Sequence, residues 1–487
     1  MLPLAAIRNV LLKKNLSAAF TFSNYRPMSD GQNQYYDIII SGGGLVGGAM
    51  AQAIQSSSYL KDKKTLLLEA QPPPTTKVKS FQTSQPYSNR VIAISPSSKK
   101  LLQKLDVWDS IERKRPVSKM QVWDACSDAM ITFDKEDVAD DLCYIIENNM
   151  ITSSIQNILE NSTMGHLNTI YNSKIKSFTL PRNYARDDPN KPLPNVKIEL
   201  ENGDALETAL LVAADGARSF IAQEANISKV AWTYKQSAVV ATLVLEEPTE
   251  NFQAWQRFLP EGPIAMLPLD DQHSSLVWST SHEHAESLCH MNNDDFVAEV
   301  NDAYCREYPR HEIVDKIGGA FKDLMKEISN DHGTLMNSMQ LPPVVSTLQG
   351  DKAKFPLGLS HCNEYVRPRL AIIGDAAHRV HPLAGQGANL GFGDVACLTK
   401  VLETAVYQGE DIGCISQLIE YESERQIRNV SVVGTLDALN KLYSTDALPV
   451  VLLRSLGLMG TNASKYIKIL LSHFWVFTNE RVRIHRI

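Results

Sequence analysis

Short unbroken apolar runs, and not strict alternation, dominate the start of the chain. Tyr36-Asp-Ile-Ile-Ile40 is a β-branched run of the kind that forms a strand buried on both faces of a parallel sheet. A glycine cluster and an Ala-rich helical stretch follow, and Lys64-Thr-Leu-Leu-Leu-Glu69 reads as a second short strand. Together they predict a βαβ unit. Residues 71–89, opened by Pro72-Pro-Pro74 and rich in Ser, Thr and Gln, read as a loop. Residues 97–113 have helical spacing. Strands are expected in 117–134 and in 165–215, with a polar loop near 182–194. The pattern over 228–280 alternates like sheet, as in Ser237-Ala-Val-Val-Ala-Thr-Leu-Val-Leu245. Residues 292–330 look helical, 365–373 form another apolar strand, and 388–487 are mostly helix. No internal repeat is visible.

Composition narrows the class. The 487 residues are 44% hydrophobic and 21% charged, enough apolar surface to bury a large core and to exclude a disordered chain. A net charge of −7 argues against a general nucleic-acid-binding surface. No run of 18 uninterrupted apolar residues exists, so a standard membrane-spanning helix is not expected. The seven cysteines are scattered, odd in number and without a C-x-x-C pair. That pattern fits a reducing compartment and neither a zinc ribbon nor a secreted disulfide framework. The first 30 residues carry Arg8, Lys13, Lys14 and Arg26, with no acid before Asp30 and apolar residues between the charges. This is the composition of a mitochondrial transit peptide, and Lys13 and Lys14 break the apolar core that a secretory signal needs.

Three glycine-bearing turns carry the chemistry. Gly42-Gly-Gly44-Leu-Val-Gly47 follows a strand and opens a helix. Gly42 permits the tight turn, Gly44 lets a pyrophosphate approach the backbone, and Gly47 lets helix and strand pack closely. The helix N-terminus supplies free N–H groups for phosphate. Glu69, at the end of the second strand, stands where a carboxylate accepts a ribose hydroxyl. These features mark a dinucleotide site without deciding between NAD and FAD. Gly374-Asp375-Ala-Ala-His378 follows the strand Arg369–Ile373 and continues through Pro382 to Gly385-Gln386-Gly387-Ala-Asn389, entering a helix. An acid directly after a strand suits a ribityl hydroxyl, and the glycines let backbone approach a flat ring. The helix that follows stabilises negative charge on a reduced flavin, so this motif favours FAD. The third turn, Ala214-Asp215-Gly216-Ala-Arg218-Ser219, is unremarkable alone but falls between the other two.

In this order the three elements resemble the aromatic-ring hydroxylases, the single-component flavoprotein monooxygenases typified by para-hydroxybenzoate hydroxylase. The resemblance covers roughly residues 35–445. Arg90-Val-Ile-Ala93-Ile-Ser, Ile146-Glu147-Asn148, Phe355-Pro-Leu357, Tyr421-Glu422-x-Glu424-Arg425 and the segment Thr435–Tyr443 narrow it to the ubiquinone-biosynthesis ring hydroxylases. Ser41 departs from that group, which often has a further Val or Ile there. The resemblance implies an α/β fold in which a Rossmann-like FAD-binding domain is built from residues 35–115, 140–225 and 360–410. A sheet-rich substrate domain from 116–139 and 226–359 is inserted into it, and a helical region at 411–487 follows. It further implies FAD held by Gly42, Gly44, Gly47, Glu69, Arg90, Asp215, Gly374, Asp375, Pro382, Gly385, Gly387 and Asn389. Arg90 is lifted from an ordinary surface cation to a flavin contact by the resemblance alone. No catalytic side chain is singled out. The reaction implied is hydroxylation, at C5, of a polyprenylated 4-hydroxybenzoate. One atom of dioxygen goes to the ring and the other leaves as water. Electrons are expected from a ferredoxin and its reductase. Other ubiquinone-biosynthesis proteins are expected as partners, with the protein peripheral on the matrix face of the mitochondrial inner membrane.

Plainer readings compete with some of these. His378 and His381 have ligand-like spacing, but no carboxylate or cysteine clearly completes a site, so no metal is expected. The apolar segments Ala447–Leu453, Tyr466–Leu471 and Phe474–Phe477, with Lys465, Lys468, Arg481, Arg483 and Arg486 nearby, suit core, a subunit interface or a membrane surface. A prenyl reductase or halogenase of the same fold is the enzymatic alternative, although Val277-Trp-Ser-Thr280 does not supply the W-x-W-x-I-P segment of a halogenase. A flavin-binding scaffold subunit is the non-enzymatic one.

Overall fold

In the computed structural model the described residues are 34–73, 85–138, 140–161, 166–181, 193–310, 312–328, 339–381, 385–464 and 467. The leader, Pro382, most of the 182–194 loop and the apolar segments beyond 464, Ile467 apart, lie outside them. Residues Tyr35–Ile487 cluster as one unit.

Ile38, Ile39 and Ile40 are wholly buried in the first strand, Gln34–Ser41, which pairs in parallel with Thr65–Leu68; that strand pairs in parallel with Leu167–Ile170. The strand Ala205–Ala213 lies on the other side of the first and pairs in parallel with Leu370–Ile372. Strands from five separated stretches of chain thus form one eight-stranded sheet. Its helices, Leu45–Ser56, Asn148–Asn161 and Gln386–Gln408, pack on one another, with Leu45–Ser56 in the middle. Consecutive residues of a strand point to opposite faces, and their burial on both explains why these strands read as continuous apolar runs.

The second eight-stranded sheet does not carry the alternation read in 228–280 over to burial, since residues 236–243 are buried without a break. Its strands run in the order His378–Arg379, Val345–Cys362, Lys229–Leu245, His273–Ser281, Gly262–Pro268, Gln253–Leu259, Lys119–Asp124, Met130–Asp134. All its neighbours are antiparallel except Gln253–Leu259 with Lys119–Asp124. Helices His282–His290 and Asn293–Cys305 cover it, with Phe296, Leu288 and Trp278 in its core. A three-stranded antiparallel sheet, Val91–Ile94, Cys143–Glu147 and Arg115–Val117, is the third layer of strands. The helices Ile415–Tyr443 and Leu448–Ala463 close the described chain. Among the described residues no helix is long and apolar enough to cross a membrane.

Two expectations change in detail. Residues 365–373 are not one strand. Val366–Arg367 and Leu370–Ile372 form an antiparallel hairpin, because Pro368 cannot donate to a ladder and Arg369 adopts a positive φ of 69°. Residues 97–113 hold the helix Pro96–Lys104, capped by Ser95, and then a separate single turn at Trp108–Ser110. Asp106, at φ 60°, ends the helix between them.

The last helix is fastened to the second sheet by a wholly buried ion pair. Arg454 Nε and Nη2 donate to Asp124 Oδ2 and Oδ1 at 2.8 and 3.1 Å, and Ser455 Oγ meets Ser127 Oγ at 2.8 Å. Removing one member of such a pair strands the other charge. Asp124→Ala is therefore expected to destabilise the protein by about 3–5 kcal/mol. A denaturant midpoint unchanged from wild type would show that the pair carries no such weight.

Candidate functional site

The first turn is shaped by contacts that exclude side chains. Gly42 sits at φ +104°, and a Cβ there would lie 2.3 Å from the Ala214 carbonyl oxygen; one at Gly47 would lie 1.9 Å from the Gly42 oxygen. Gly44 differs, because a Cβ there would meet nothing within 4 Å. It stands before the first turn of Leu45–Ser56 with no side chain capping that turn and no acid within it. The result is a bare helix N-terminus facing open space, which is what a pyrophosphate requires. Glu69 Oε2 accepts from the Gly43 amide at 2.6 Å and Oε1 from the Gln71 amide at 2.7 Å, so lone pairs remain on each oxygen. Asp215 Oδ2 accepts from the Ile221 amide at 3.2 Å. Its Oδ1 is buried without a hydrogen-bond partner among the described residues, a polar atom that a ligand hydroxyl would satisfy.

The second glycine turn packs directly on the first. Val46 wedges against Gly374 and Gly391, where a Cβ would come within 3.1 and 2.5 Å of its methyl carbons. Motifs 330 residues apart, counted from Gly44 to Gly374, thus share one piece of surface. Gly385, at φ +61°, lies against Ala93. Asp375 is open to the cavity yet closely walled by protein. Desolvation pushes its carboxyl above the usual range, against the pull of His378 and Arg379. Asn389 stands behind the turn rather than in it. Its Oδ1 accepts from the Ser95 amide at 3.0 Å, and its Nδ2 donates to the Ala93 and Gly385 carbonyls at 2.8 and 3.0 Å.

Beneath this turn lies a buried group to which no role was given in the sequence. Asp394 Oδ2 accepts from the Gly374 amide (2.9 Å) and His378 Nε2 (2.6 Å), and Oδ1 from Arg425 Nε (2.8 Å) and Asn429 Nδ2 (3.3 Å). Burial alone would raise its carboxyl; His378 and Arg425 outweigh that and hold it at about 2. The available signal was a lone acid in the apolar face of a helix, with no other charge between Gln386 and Thr399. His378 is thereby committed to Asp394, while His381 packs edge-on to Tyr234 and is pushed down to about 4 by burial. Among the described residues no group of three His, Cys, Asp or Glu could hold a metal ion.

A cavity of about 1410 Å³ joins these parts. Gly44, Arg90, Gly216, Asp375, Gly385 and Gly387 border it; Gly42, Gly47, Glu69, Asp215, Gly374 and Asn389 are not among its lining residues. It then continues between the second sheet and the closing helices, past Val122, Phe258, Val277, Leu357, Leu442 and Leu458. The volume exceeds the roughly 300–1,000 Å³ of an ordinary small-molecule pocket. The bare helix N-terminus, the orphaned Asp215 oxygen and the side-chain-free turns fit FAD.

Comparison with known proteins agrees. A family model for an FAD binding domain matches residues 335–434. The mitochondrial ubiquinone biosynthesis monooxygenase COQ6 of Danio rerio is 47% identical over 463 residues, 94% of this chain and 93% of that protein. Its Homo sapiens counterpart is 48% identical over 436 residues, 89% of this chain and 91% of that protein. Among solved structures, p-nitrophenol 4-monooxygenase PnpA from Pseudomonas putida matches with a TM-score of 0.64 at 16% identity, over 93% of this chain and all of its own. PqsL, a probable FAD-dependent monooxygenase from Pseudomonas aeruginosa, matches with a TM-score of 0.61 at 16% identity, over 87% of this chain and 100% of that chain. At that identity the two structures speak for the fold: mixed α/β with a sheet-rich insert and C-terminal helices.

The Asp394 cluster gives a pH test. A carboxyl held at about 2 when folded, against roughly 3.9 unfolded, stabilises the protein fully above about pH 5 and loses that contribution progressively as pH falls through 2 to about 1. The stability difference between wild type and Asp394→Asn is expected to shrink by about 2–3 kcal/mol over that window. Urea titrations at stepped pH would measure it. A difference that stays constant would mean that the Asp394 charge is not coupled to folding.

Proposed function

Because this chain belongs to the family of the mitochondrial ubiquinone biosynthesis monooxygenase COQ6, an FAD-dependent enzyme group, we propose that it hydroxylates the ring of a polyprenylated 4-hydroxybenzoate at C5. The observation that carries the substrate class is the cavity. One continuous space runs from the two glycine turns into a long wall of aliphatic side chains, as a polar ring with an isoprenoid tail demands.

FAD, when bound, supplies the activation of dioxygen. In this reading the chain's own residues do the rest. Gly42, Gly44 and Gly47 admit the pyrophosphate to the backbone, while Glu69 and Asp215 accept hydroxyls. Asp375 accepts from the ribityl chain, and Gly374, Gly385 and Gly387 keep side chains out of the ring's plane. Arg90 adds a cation at the cavity wall, and Asn389 holds the turn in place. Pro382 belongs to the same proposal but lies outside the described residues. The apolar wall excludes water from the reacting ring. In the proposed division, segments 35–115, 140–225 and 360–410 form the FAD-binding domain, 116–139 and 226–359 the substrate domain, and 411–487 the helical region.

The relatives are mitochondrial by name, and the acid-free leader supports the same address for this chain. A matrix-face position on the inner membrane, electron supply by a ferredoxin and its reductase, and assembly with other proteins of the pathway complete the proposal. Support for the membrane position is the chemistry of the substrate tail and the exposed Leu453 at the cavity border.

Two measurements test this reading. FAD-loaded protein supplied with reductant, dioxygen and a polyprenylated 4-hydroxybenzoate is expected to yield a product one oxygen heavier, with the new hydroxyl at C5 by mass spectrometry and NMR. Reductant consumption without ring product would refute the substrate assignment. Asp375→Ala is expected to weaken FAD binding about tenfold to over a hundredfold, the worth of a charged hydrogen bond at about 1.5–3 kcal/mol. Flavin occupancy equal to wild type after dialysis would reduce Asp375 to a turn residue.

A further inference from the structure

Four consecutive residues ahead of the strand Val91–Ile94 are each bonded to another part of the fold or to one another. The Tyr87 amide donates to Gln349 Oε1 at 2.8 Å, and its hydroxyl to Asp270 Oδ2 at 2.8 Å. The Ser88 amide donates to Glu147 Oε1 at 2.6 Å. Asn89 Oδ1 accepts from Thr242 Oγ1 at 3.0 Å, and its Nδ2 donates to the Asp351 carbonyl. The Arg90 amide donates to Ser88 Oγ at 3.3 Å, and its carbonyl accepts from the Asn148 amide at 2.9 Å. Gln349, Asp351 and Thr242 belong to the second large sheet; Glu147 belongs to the three-stranded one.

The anchors are themselves held. Glu147 is buried and ion-paired with Arg113 at 2.7 Å, and the Arg113 guanidinium lies 4.4 Å from the Tyr87 ring centre. Asp270 also meets His273 Nδ1 at 2.9 Å. Irregular backbone ordinarily satisfies itself with turns and water. Here it is tied to two sheets at once, and what it delivers is Arg90.

Arg90 borders the cavity, and no carboxylate among the described residues pairs with its guanidinium. Three residues on, Ala93 carries the Gly385 turn against its Cβ and carbonyl. The backbone that bears this cation is therefore held at the seam between the ring-end turn and the substrate sheet. We propose that Tyr87 and Asn89 are positioning residues that act through Arg90. They preset its guanidinium for a delocalised anion with a ring oxygen, either the reduced flavin or the deprotonated phenol of the substrate. A preset charge needs no reorganisation when that anion forms. The inference rests on the FAD-monooxygenase reading.

The test is a double-mutant cycle in full-length, FAD-loaded protein. Tyr87→Phe, Asn89→Ala and Thr242→Val, which releases Asn89 from the opposite side, are made alone and with Arg90→Gln. The midpoint potential of bound FAD, the Kd of the ring substrate from the flavin spectrum, and the thermal midpoint are recorded. Each single variant is expected to lower the potential, which identifies the flavin as the anion, or to weaken substrate binding severalfold, which identifies the phenol. In the Arg90→Gln background neither quantity should fall further, although the thermal midpoint drops alike in both backgrounds. Losses that add to that of Arg90→Gln, or no change in either quantity, would make the clasp mere packing and overturn the proposal. Wild-type protein that retains no FAD would overturn the monooxygenase reading instead.

Discussion

The site hangs on one carboxylate. Asp394 is fully buried and bonded to a backbone amide, an imidazole, a guanidinium and an amide side chain from the turn at Gly374, the extended segment at His378 and the helix Ile415–Tyr443. An isolated buried charge would be intolerable, and this one is compensated on both oxygens. That arrangement converts an irregular strand-to-helix turn into a fixed object. The Gly374 amide cannot move without breaking a charged hydrogen bond, and Asp375 is the next residue. The precision asked of the cavity wall is thus supplied from the layer beneath it.

The same cluster organises the layers around it. Arg425 reaches from Asp394 to the Leu390 carbonyl and Asn429, and Asn429 donates to Tyr365 Oη at 3.2 Å. Tyr421 donates to the Ile372 carbonyl at 2.8 Å. Glu422 Oε2 accepts from the Tyr365 and Val366 amides. The helix Ile415–Tyr443 is therefore tied by polar bonds to the last strands of the first sheet, on one side of the Gly374 turn. Arg454 and Asp124 do the comparable work for the last helix and the second sheet. Buried charge appears where elements of different periodicity must meet, and apolar packing fills the faces between.

How much of this was legible in the chain follows from range. Gly42, Gly44 and Gly47 could be read because strand, turn and helix are local, and their steric reasons lie within a few residues or across one strand. The second turn could be read for the same cause. Asp394 could not, since nothing near it in sequence announces that His378 and Arg425 will meet it. The glycine-rich motif places Asn389 with the cofactor; it does not show that the side chain fastens the turn to Ala93 and Ser95, which stand almost 300 residues earlier. The long strand Val345–Cys362 gave little sign of itself. Lys352, Lys354 and Asp351 interrupt any alternation, and much of its length is exposed. Tyr421 and Arg425 were visible only as a resemblance to a family pattern, without the physical task that explains them.

The wedge of Val46 between Gly374 and Gly391 also governs when the site comes into being. A chain emerging from its N-terminus makes Ile38–Ile40 and the first glycine turn early, but the surface that fixes Val46 follows some 330 residues later. The strand Leu370–Ile372, the partner of Leu211–Ala213, is equally late. Closing such loops is slow, and apolar strands stay uncovered meanwhile. The two ends of the dinucleotide cradle are therefore born together, after most of the polypeptide is present. The first strands of a newly made chain stay uncovered until then, and a ligand that needs both turns can be held only after they have met.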